Sequence, residues 1–490
     1  MRGPSAAALV ALALVTLRQP VEWPAFEAVQ PELFADGTAL VNGFADYDGD
    51  GDPDLFVGFN GAPNRLYRND GGKFADVAAV AGVADARPTR AASWGDADTD
   101  GDADLLVGFA PGAGPILRLY LNDKGRFTDG TVAAGLMVES GAVRQPSWVD
   151  ADGDGDLDLF VAFRDRPNAF FRNTNGRFED VAAAAGLADS RKSVGAVWFD
   201  HDEDGDLDLY VGNMDGDANG LYRNDGGRFT DVADAVGVAW GGRAPRDAAN
   251  GTVRPCVADV DNDGRLDLAM ANYGPNGLFL NRGAGRFDDV SKTWAVATDG
   301  RYDACAFADV DHDGRLDLYV NGTVTGGTSY RDYLLRNTGS TFVDVTSDTL
   351  LKLHADHGVA WADVDGDGDE DLALTGSRAD GMHLLLLNTL PRGRARRSLG
   401  VLVRDMRGRA TRPGAEVRVY AAGSRTLLGT RLVDTGSGYD AQSDLPVHFG
   451  LPSVDHVDVE VTWPAGGRRQ PHIARSRQVA TAGQTIVVRQ

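Results

Sequence analysis

Apolar and polar positions alternate along most of this 490-residue chain in short runs, the period-2 pattern of half-buried strands. The runs recur in a fixed order. A short segment comes first, carrying an aromatic side chain at Phe44, Trp94, Trp148, Trp198, Phe307 or Trp361, and Val257 in one copy. A polar loop and a Leu-rich run such as DLFVGF (54–59) follow, and then two alternating segments around an Asn-x-Gly turn, as in NRLYRNDGGKFADV (64–77). Those last two segments read as a β-hairpin, so each unit is expected to hold four strands.

Seven such units are present, their loops starting at Asp46, Asp96, Asp150, Asp200, Asp259, Asp309 and Asp363, in steps of 50, 54, 50, 59, 50 and 54 residues. The predicted fold class is all-β, a seven-bladed β-propeller over residues 21–390. The array's ends complement each other. Unit seven stops after HLLLLN (383–388) without the closing F-x-D-V strand, and an orphan FEAV (26–29) precedes unit one. Pairing these two segments would complete the seventh blade and close the circle with the N-terminal strand.

The polar loops carry the chemistry. Each is nine residues long, with aspartate at position 1 (Asp46, Asp96, Asp150, Asp200, Asp259, Asp309, Asp363) and at position 3 (Asp48, Asp98, Asp152, Asp202, Asp261, Asp311, Asp365). Aspartate also fills position 5 (Asp50, Asp100, Asp154, Asp204, Asp263, Asp313, Asp367) and position 9 (Asp54, Asp104, Asp158, Asp208, Asp267, Asp317, Asp371), and glycine always stands at position 6. Position 7 is aspartate in five copies but Arg265 and Arg315 in two, so its side chain is dispensable and a backbone carbonyl there would suffice. Oxygen ligands at alternate positions around a glycine bend suit a hard cation, and Ca²⁺ at up to seven structural sites is the expected cofactor. This is not an EF-hand: position 12 of the first loop is Val57 rather than a glutamate, and strands flank the loop. Mutual repulsion would destabilise an empty loop, and the local sequence places no nearby cation to relieve it.

The net charge is −24, and the odd loop positions hold 33 of the 72 acidic residues, so the acidity belongs to sites rather than to a diffuse coat. Seven bound calcium ions would bring the charge to −10. Such acidity argues against nucleic acid as a partner. With 43% apolar residues the chain can bury a large core.

The N-terminus, MRGPSAAALVALALVTLRQP, has an apolar run from Ala6 to Leu17 after one arginine. That is the length of a signal-peptide core and too short to span a bilayer, so residues 1–20 are expected to direct export to a secreted, periplasmic or cell-surface location. Cys256 and Cys305 stand three and four residues before adjacent loops. They could pair in an oxidising compartment or be two small buried side chains, and the pattern leaves both open.

D-x-D-x-D-G-x-x-D-L at a period near 50 resembles the FG-GAP/VCBS repeats shared by integrin α-subunit propellers and many bacterial exported proteins. The resemblance implies a calcium-braced propeller used in adhesion or recognition, with the family's calcium ligands at positions 1, 3, 5 and 9. After a basic linker, PRGRARR (391–397), the loops cease, and residues 398–490 read as a small all-β domain of sandwich or barrel kind. Its elements at Gly438, Tyr439, Gln442, Ser443, Val447 to Leu451, Trp463, Pro464 and Gly466 resemble the ASPIC/UnbV domain, with Ala465 and Pro452 departing from that pattern.

Two further groups are candidates. His354, Asp356 and His357 lead into the inner strand of unit seven, where a channel could hold them as metal ligands or acid–base groups, and Tyr439, Gln442, Ser443 and His448 could form a second polar site. A ring of basic residues, Arg87, Arg90, Arg144, Arg191 with Lys192, Arg243, Arg246, Arg254, Arg301 and Lys352, precedes the inner strands at the end opposite the aspartate loops. These are candidates for an anionic-ligand face, where guanidinium forks suit carboxylates. Asn250 and Asn321 begin sequons that matter only in a glycosylating host. The sequence thus predicts an exported calcium-binding recognition or adhesion module for an extracellular protein or acidic polysaccharide. The alternative is an enzyme or biosynthetic accessory protein that uses the channel.

Overall fold

A computed structural model describes residues 23–112, 114–353, 356–376, 384–405, 413–434, 436, 439–443, 446–464 and 472–490. The expected signal segment, His354 and Gly438 lie outside the described residues, as do Ala465 and Gly466. The fold is mostly β-sheet. In the first unit Ala39–Ala45, Asp54–Phe59, Arg65–Asn69 and Phe74–Asp76 pair antiparallel in sequence order. Units two, three and four repeat this arrangement. Units five and six share one eight-stranded sheet, because Asp267–Pro275 runs on past its blade and pairs Tyr273, Gly274 and Pro275 with Arg301, Gly300 and Asp299. In the seventh unit Phe26–Ala28 pairs with Leu384–Asn388, Phe26 opposite Asn388, which is the complementarity expected of the two ends of the repeat array.

The aromatic that precedes each loop explains how the units stack. Trp94 meets Phe56 of the unit before it edge-on at 6.3 Å, and its indole Nε1 donates to Gly43 O at 3.1 Å. Trp198 repeats this against Phe160 at 6.2 Å, donating to Ser147 Oγ. The hydrophobic clusters accordingly lie between neighbouring units rather than within them, one joining Phe56 and Leu66 to Leu105 and Tyr120, another joining Tyr319 and Leu334 to Leu372 and Phe26. No blade can bury its faces alone, so the repeats are stable only as a stack.

A single helical turn, absent from the sequence reading, follows the outer strand in units one to four, as at Ala78–Ala81 and Thr131–Ala134. The aspartate of F-x-D-V begins it: Ala78 N donates to Asp76 Oδ1 at 3.1 Å and Thr131 N to Asp129 Oδ1 at 3.0 Å. Gly82 and Gly135 then end the turn with left-handed backbone.

Cys256 and Cys305 form a disulfide between the inner strands of units five and six, with a Cα–Cα distance of 6.3 Å and a sequence separation of 49. Closing a loop of that size stabilises by about 4 kcal/mol in the chain-entropy treatment. The double substitution Cys256→Ala, Cys305→Ala is therefore expected to lower the denaturant-unfolding free energy by about 3–4 kcal/mol, and an unchanged midpoint would argue that the thiols are unbridged.

The C-terminal domain consists of two sheets, one of Leu427–Leu432, Glu416–Ala421, His456–Trp463 and His472–Ala480, the other of Val447–Gly450, Ser398–Arg404 and Gln484–Arg489. They pack around Val401, Val417, Phe449, Val459 and Trp463. The basic linker contains one helical turn, Arg392–Ala395.

Aspartate loops and the filled channel

The nine-residue loops are built from their ends inward. Position 9 starts the buried second strand, so its side chain points back under the loop. Asp104, fully buried, accepts Ala97 N and Asn122 N at 2.8 Å each. The same pair of backbone donors, from position 2 and from an asparagine of the hairpin, reaches the position-9 carboxylate in all seven units, as at Asp54, Asp158, Asp208, Asp267, Asp317 and Asp371. Sequence reasoning placed that asparagine only in the Asn-x-Gly turn and missed its bond to position 9, although it recurs in every copy (Asn69, Asn122, Asn173, Asn224, Asn281, Asn337, Asn388). Its side chain also ties blades together: Asn122 Nδ2 donates to Tyr47 O of the preceding loop at 2.8 Å, and Asn69 Nδ2 donates to Val364 O of the seventh loop at 2.8 Å.

Position 1 accepts backbone N–H groups across the bend, as Asp309 does from Asp313 N and Gly314 N at 2.9 Å, and position 5 accepts the N–H of position 7. Position 3 is divided: Asp98, Asp152 and Asp365 accept the N–H of position 5, whereas a buried Oδ1 of Asp48, Asp202, Asp261 and Asp311 accepts no hydrogen bond. In the first, third and fourth loops the carboxylates of positions 1, 3 and 5 bring oxygens within 4.8 Å of one another, and in the second loop Asp96, Asp98 and Asp104 do so. His201, at position 2 of the fourth loop, joins Asp202 and Asp208 in a further cluster, with Nδ1 at 2.5 Å from Asp208 Oδ2. Buried carboxylate oxygens without donors, set beside others that have them, are what an oxygen-coordinated divalent cation fits. Burial pushes Asp54, Asp104 and Asp158 up to about 8, so without a counter-charge the loops resist ionisation.

One expectation is corrected: cations do stand near several loops. Arg282, from the hairpin, lies 3.0 Å from Asp261, and Arg336 lies 2.6 Å from Asp311 and 3.2 Å from Asp313. Arg265 and Arg315, at position 7, pair with Asp263 and Asp313. Arg172 approaches Asp152 at 3.3 Å. Arg265 and Arg315 stand within the nine-residue loops themselves, whereas Arg172, Arg282 and Arg336 come from a hairpin arm that folds back beside the loop, a proximity that nine-residue windows cannot show.

Most of the basic ring is engaged within the chain. Arg87 binds Asp85 at 2.9 Å and stacks on Phe109, Arg191 binds Asp189 and Asp231 at 2.7 Å, and Lys192 lies 3.4 Å from Asp215. Arg243 donates to Asn213 O and Asn219 Oδ1, Arg254 is buried with Nη1 at 3.3 Å from Val359 O, and Arg301 donates to Ala249 O. Arg144 donates to its neighbour Val143 O and, with Arg90, faces the charge of Asp440, while Arg246 is exposed. Lys352 ends a 3-10 turn, Leu350–Lys352.

Of the second polar group, Tyr439, Gln442 and Ser443 lie against the inner strands of the repeat units, whereas His448 stays on a strand of the C-terminal domain and is not brought to them. Residues 439–443 reach in among the inner strands of the repeat units, where Ala441–Gln442 pairs in parallel with Asn42 and Gly43 of the first inner strand. Gln442 Oε1 accepts Trp94 N at 2.8 Å, Ser443 Oγ accepts Trp361 N at 3.2 Å, and Gln145 Nε2 donates to Gly436 O at 2.9 Å. Asp440 O accepts Asn42 N, and the Asp440 carboxylate lies 3.5 Å from His357 Nδ1, which is 3.1 Å from Asp303. Burial opposes the charge on His357, but Asp303 and Asp440 raise it to about 9, so His357 is a cation clamped between two carboxylates. Asp356 N donates to Thr375 O beside it. His448 Nε2 lies 2.8 Å from Gly368 O of the seventh loop. Gly358 lets the inserted strand approach, since a Cβ there would fall 2.6 Å from Asp440 O.

No helix among the described residues is long and apolar enough to cross a membrane. A family model for the FG-GAP-like repeat matches residues 46–107, 150–211, 200–270 and 259–320, and one for ASPIC and UnbV matches residues 408–488. Cartilage acidic protein 1 of Mus musculus is 29% identical over 297 residues, covering 59% of this chain and 44% of its own length. The Homo sapiens protein of the same name is 30% identical over 298 residues, covering 59% and 43%. The chain thus spans less than half the length of these curated relatives. Among solved structures, a lectin of Agrocybe aegerita described as recognising non-reducing terminal N-acetylglucosamine is similar at 19% identity and a TM-score of 0.40, over 72% of this chain and 90% of that one. The two matched models and the sheets they fall on give the chain an architecture of FG-GAP-like repeats followed by a C-terminal ASPIC and UnbV domain.

Proposed function

We propose that the protein is an exported recognition or adhesion module, a seven-bladed propeller closed by Phe26–Ala28 and braced by calcium. The observation that carries the reading is the set of position-3 oxygens of Asp48, Asp202, Asp261 and Asp311, buried beside other carboxylates with no hydrogen-bond donor. Calcium would be held by positions 1, 3, 5 and 9 with the position-7 carbonyl, and it supplies structural charge compensation rather than chemistry. Kinship with cartilage acidic protein 1 supports an extracellular setting. An acidic polysaccharide fits the exposed Arg246 best, while Arg90 and Arg144 are half-buried and already face the Asp440 carboxylate. The filled channel favours recognition at the outer surface over channel chemistry.

The test is elemental analysis of the purified chain after dialysis against calcium, with a polyuronate-binding assay on the same sample. Close to seven ions per chain, and uronate binding lost in the triple substitution Arg90→Ser, Arg144→Ser, Arg246→Ser, are expected. Absence of bound calcium would sink the brace. Unaltered uronate binding in the triple variant would remove the anionic face.

A further inference from the structure

The C-terminal domain does not cover the seven loops equally. Arg418 Nη2 donates to Gly264 O of the fifth loop at 3.2 Å, and His448 meets Gly368 of the seventh. The sixth loop lies deepest. Gly450 sits directly on it: a Cβ there would collide with the Asp309 carboxylate and lie 2.6 Å from His312 Cα. The His448 ring packs on His312 at 4.9 Å, and His312 Nδ1 faces Arg394 O at 3.3 Å. Asp309 and Asp311 are each 0% exposed, whereas Asp48, Asp98 and Asp152 at position 3 of the first three loops are partly exposed; at position 5 Asp313 is partly buried where Asp50, Asp100 and Asp154 are exposed. A cleft of about 610 Å³, lined by Asp46, Asp50, Gln484 and Thr485, holds the domain off the first loop.

We infer that the C-terminal domain is the gate of the sixth loop, so that a cation there exchanges only when the domain lifts, while the outer loops exchange freely. The inference rests on the calcium reading above. Its physical basis is that Gly450 and the His448 ring lie directly over Asp309 and His312, so the inner carboxylates Asp309 and Asp311 are reached only past the partly exposed Asp313 side, and widening that approach requires breaking the Gly450 contact. Gly450 is then required by close approach, not by backbone conformation.

The experiment is stopped-flow release of calcium from the full chain into a fluorescent chelator. One ion per chain is expected to leave at least tenfold more slowly than the others. Gly450→Val, and independently Gln442→Ala, which loosens the channel strand without touching any loop, are expected to move that ion into the fast phase, with far-ultraviolet circular dichroism unchanged in at least the second variant. Release of all bound ions in one fast phase from the unaltered chain would overturn the gate and leave the calcium reading standing. A slow ion that stays slow in Gln442→Ala with its channel strand released, judged by proteolysis of residues 434–446, would overturn it too. A chain that binds no calcium would overturn both.

Discussion

Chelation of calcium at pH 8 is expected to lower the thermal midpoint of the propeller by about 10–15 °C. At ten times Kd each site contributes roughly 1.4 kcal/mol, so seven contribute about 10, and about 370 residues unfold with an entropy near 0.8 kcal/mol/K. The pH dependence should invert between the two states. Burial raises the carboxyls of Asp54, Asp104 and Asp158 to about 8 and that of Asp309 to about 7, above the ordinary value near 3.8 of an unfolded chain. Without calcium the folded chain therefore holds more protons than the unfolded one between about pH 4 and 8, and its stability falls as pH rises through that window. With calcium saturating, protons compete with the ion for the same oxygens, so stability falls as pH drops instead. Thermal melts at pH 5 and pH 8, each with calcium and with chelator, check this, and parallel pH profiles in the two conditions would contradict it.

The second large effect is expected at position 9. In saturating calcium Asp104→Asn should cost about 3–5 kcal/mol, because the ionised carboxylate accepts two backbone N–H groups and the amide can accept only one, leaving Ala97 N or Asn122 N facing an NH₂ group. In chelator at pH 5, where Asp104 is already neutral, the same change should cost little. Asp98→Asn at position 3 supplies the contrast: loss of one bound ion, with little change in the chelated protein. Urea unfolding of both variants in both conditions separates the roles, and equal costs at the two positions would show that position 9 is a ligand and nothing more.

The aspartate loops were legible because all their carboxylates lie within nine consecutive residues, and seven internal copies separate the invariant positions from the tolerant ones. Strand pairing was legible for the same reason, since each hairpin is local and its turn chemistry is written between its arms. The asparagine that receives no attention in a turn motif proved to be the tie between blades, and only its recurrence in every copy could have singled it out. Arg282 and Arg336 were not legible as loop neighbours, because they reach the carboxylates across a hairpin whose twist the linear spacing does not encode.

The sequence by itself determined the repeat, the four-stranded unit, the cation-ready loops and the complementary ends, all of which depend on side-chain periodicity over short distances. The tertiary structure alone decided where the ASPIC/UnbV signature sits in this chain. Gln442 and Ser443 accept backbone N–H groups of Trp94 and Trp361, and Gly450 makes room for Asp309. Backbone donors look the same at every residue, and an empty space leaves no mark on the residues that border it. The docking of one domain into the other therefore has no local pattern to betray it, and it exists only once the fold has brought together strands of the first and seventh units, more than 300 residues apart.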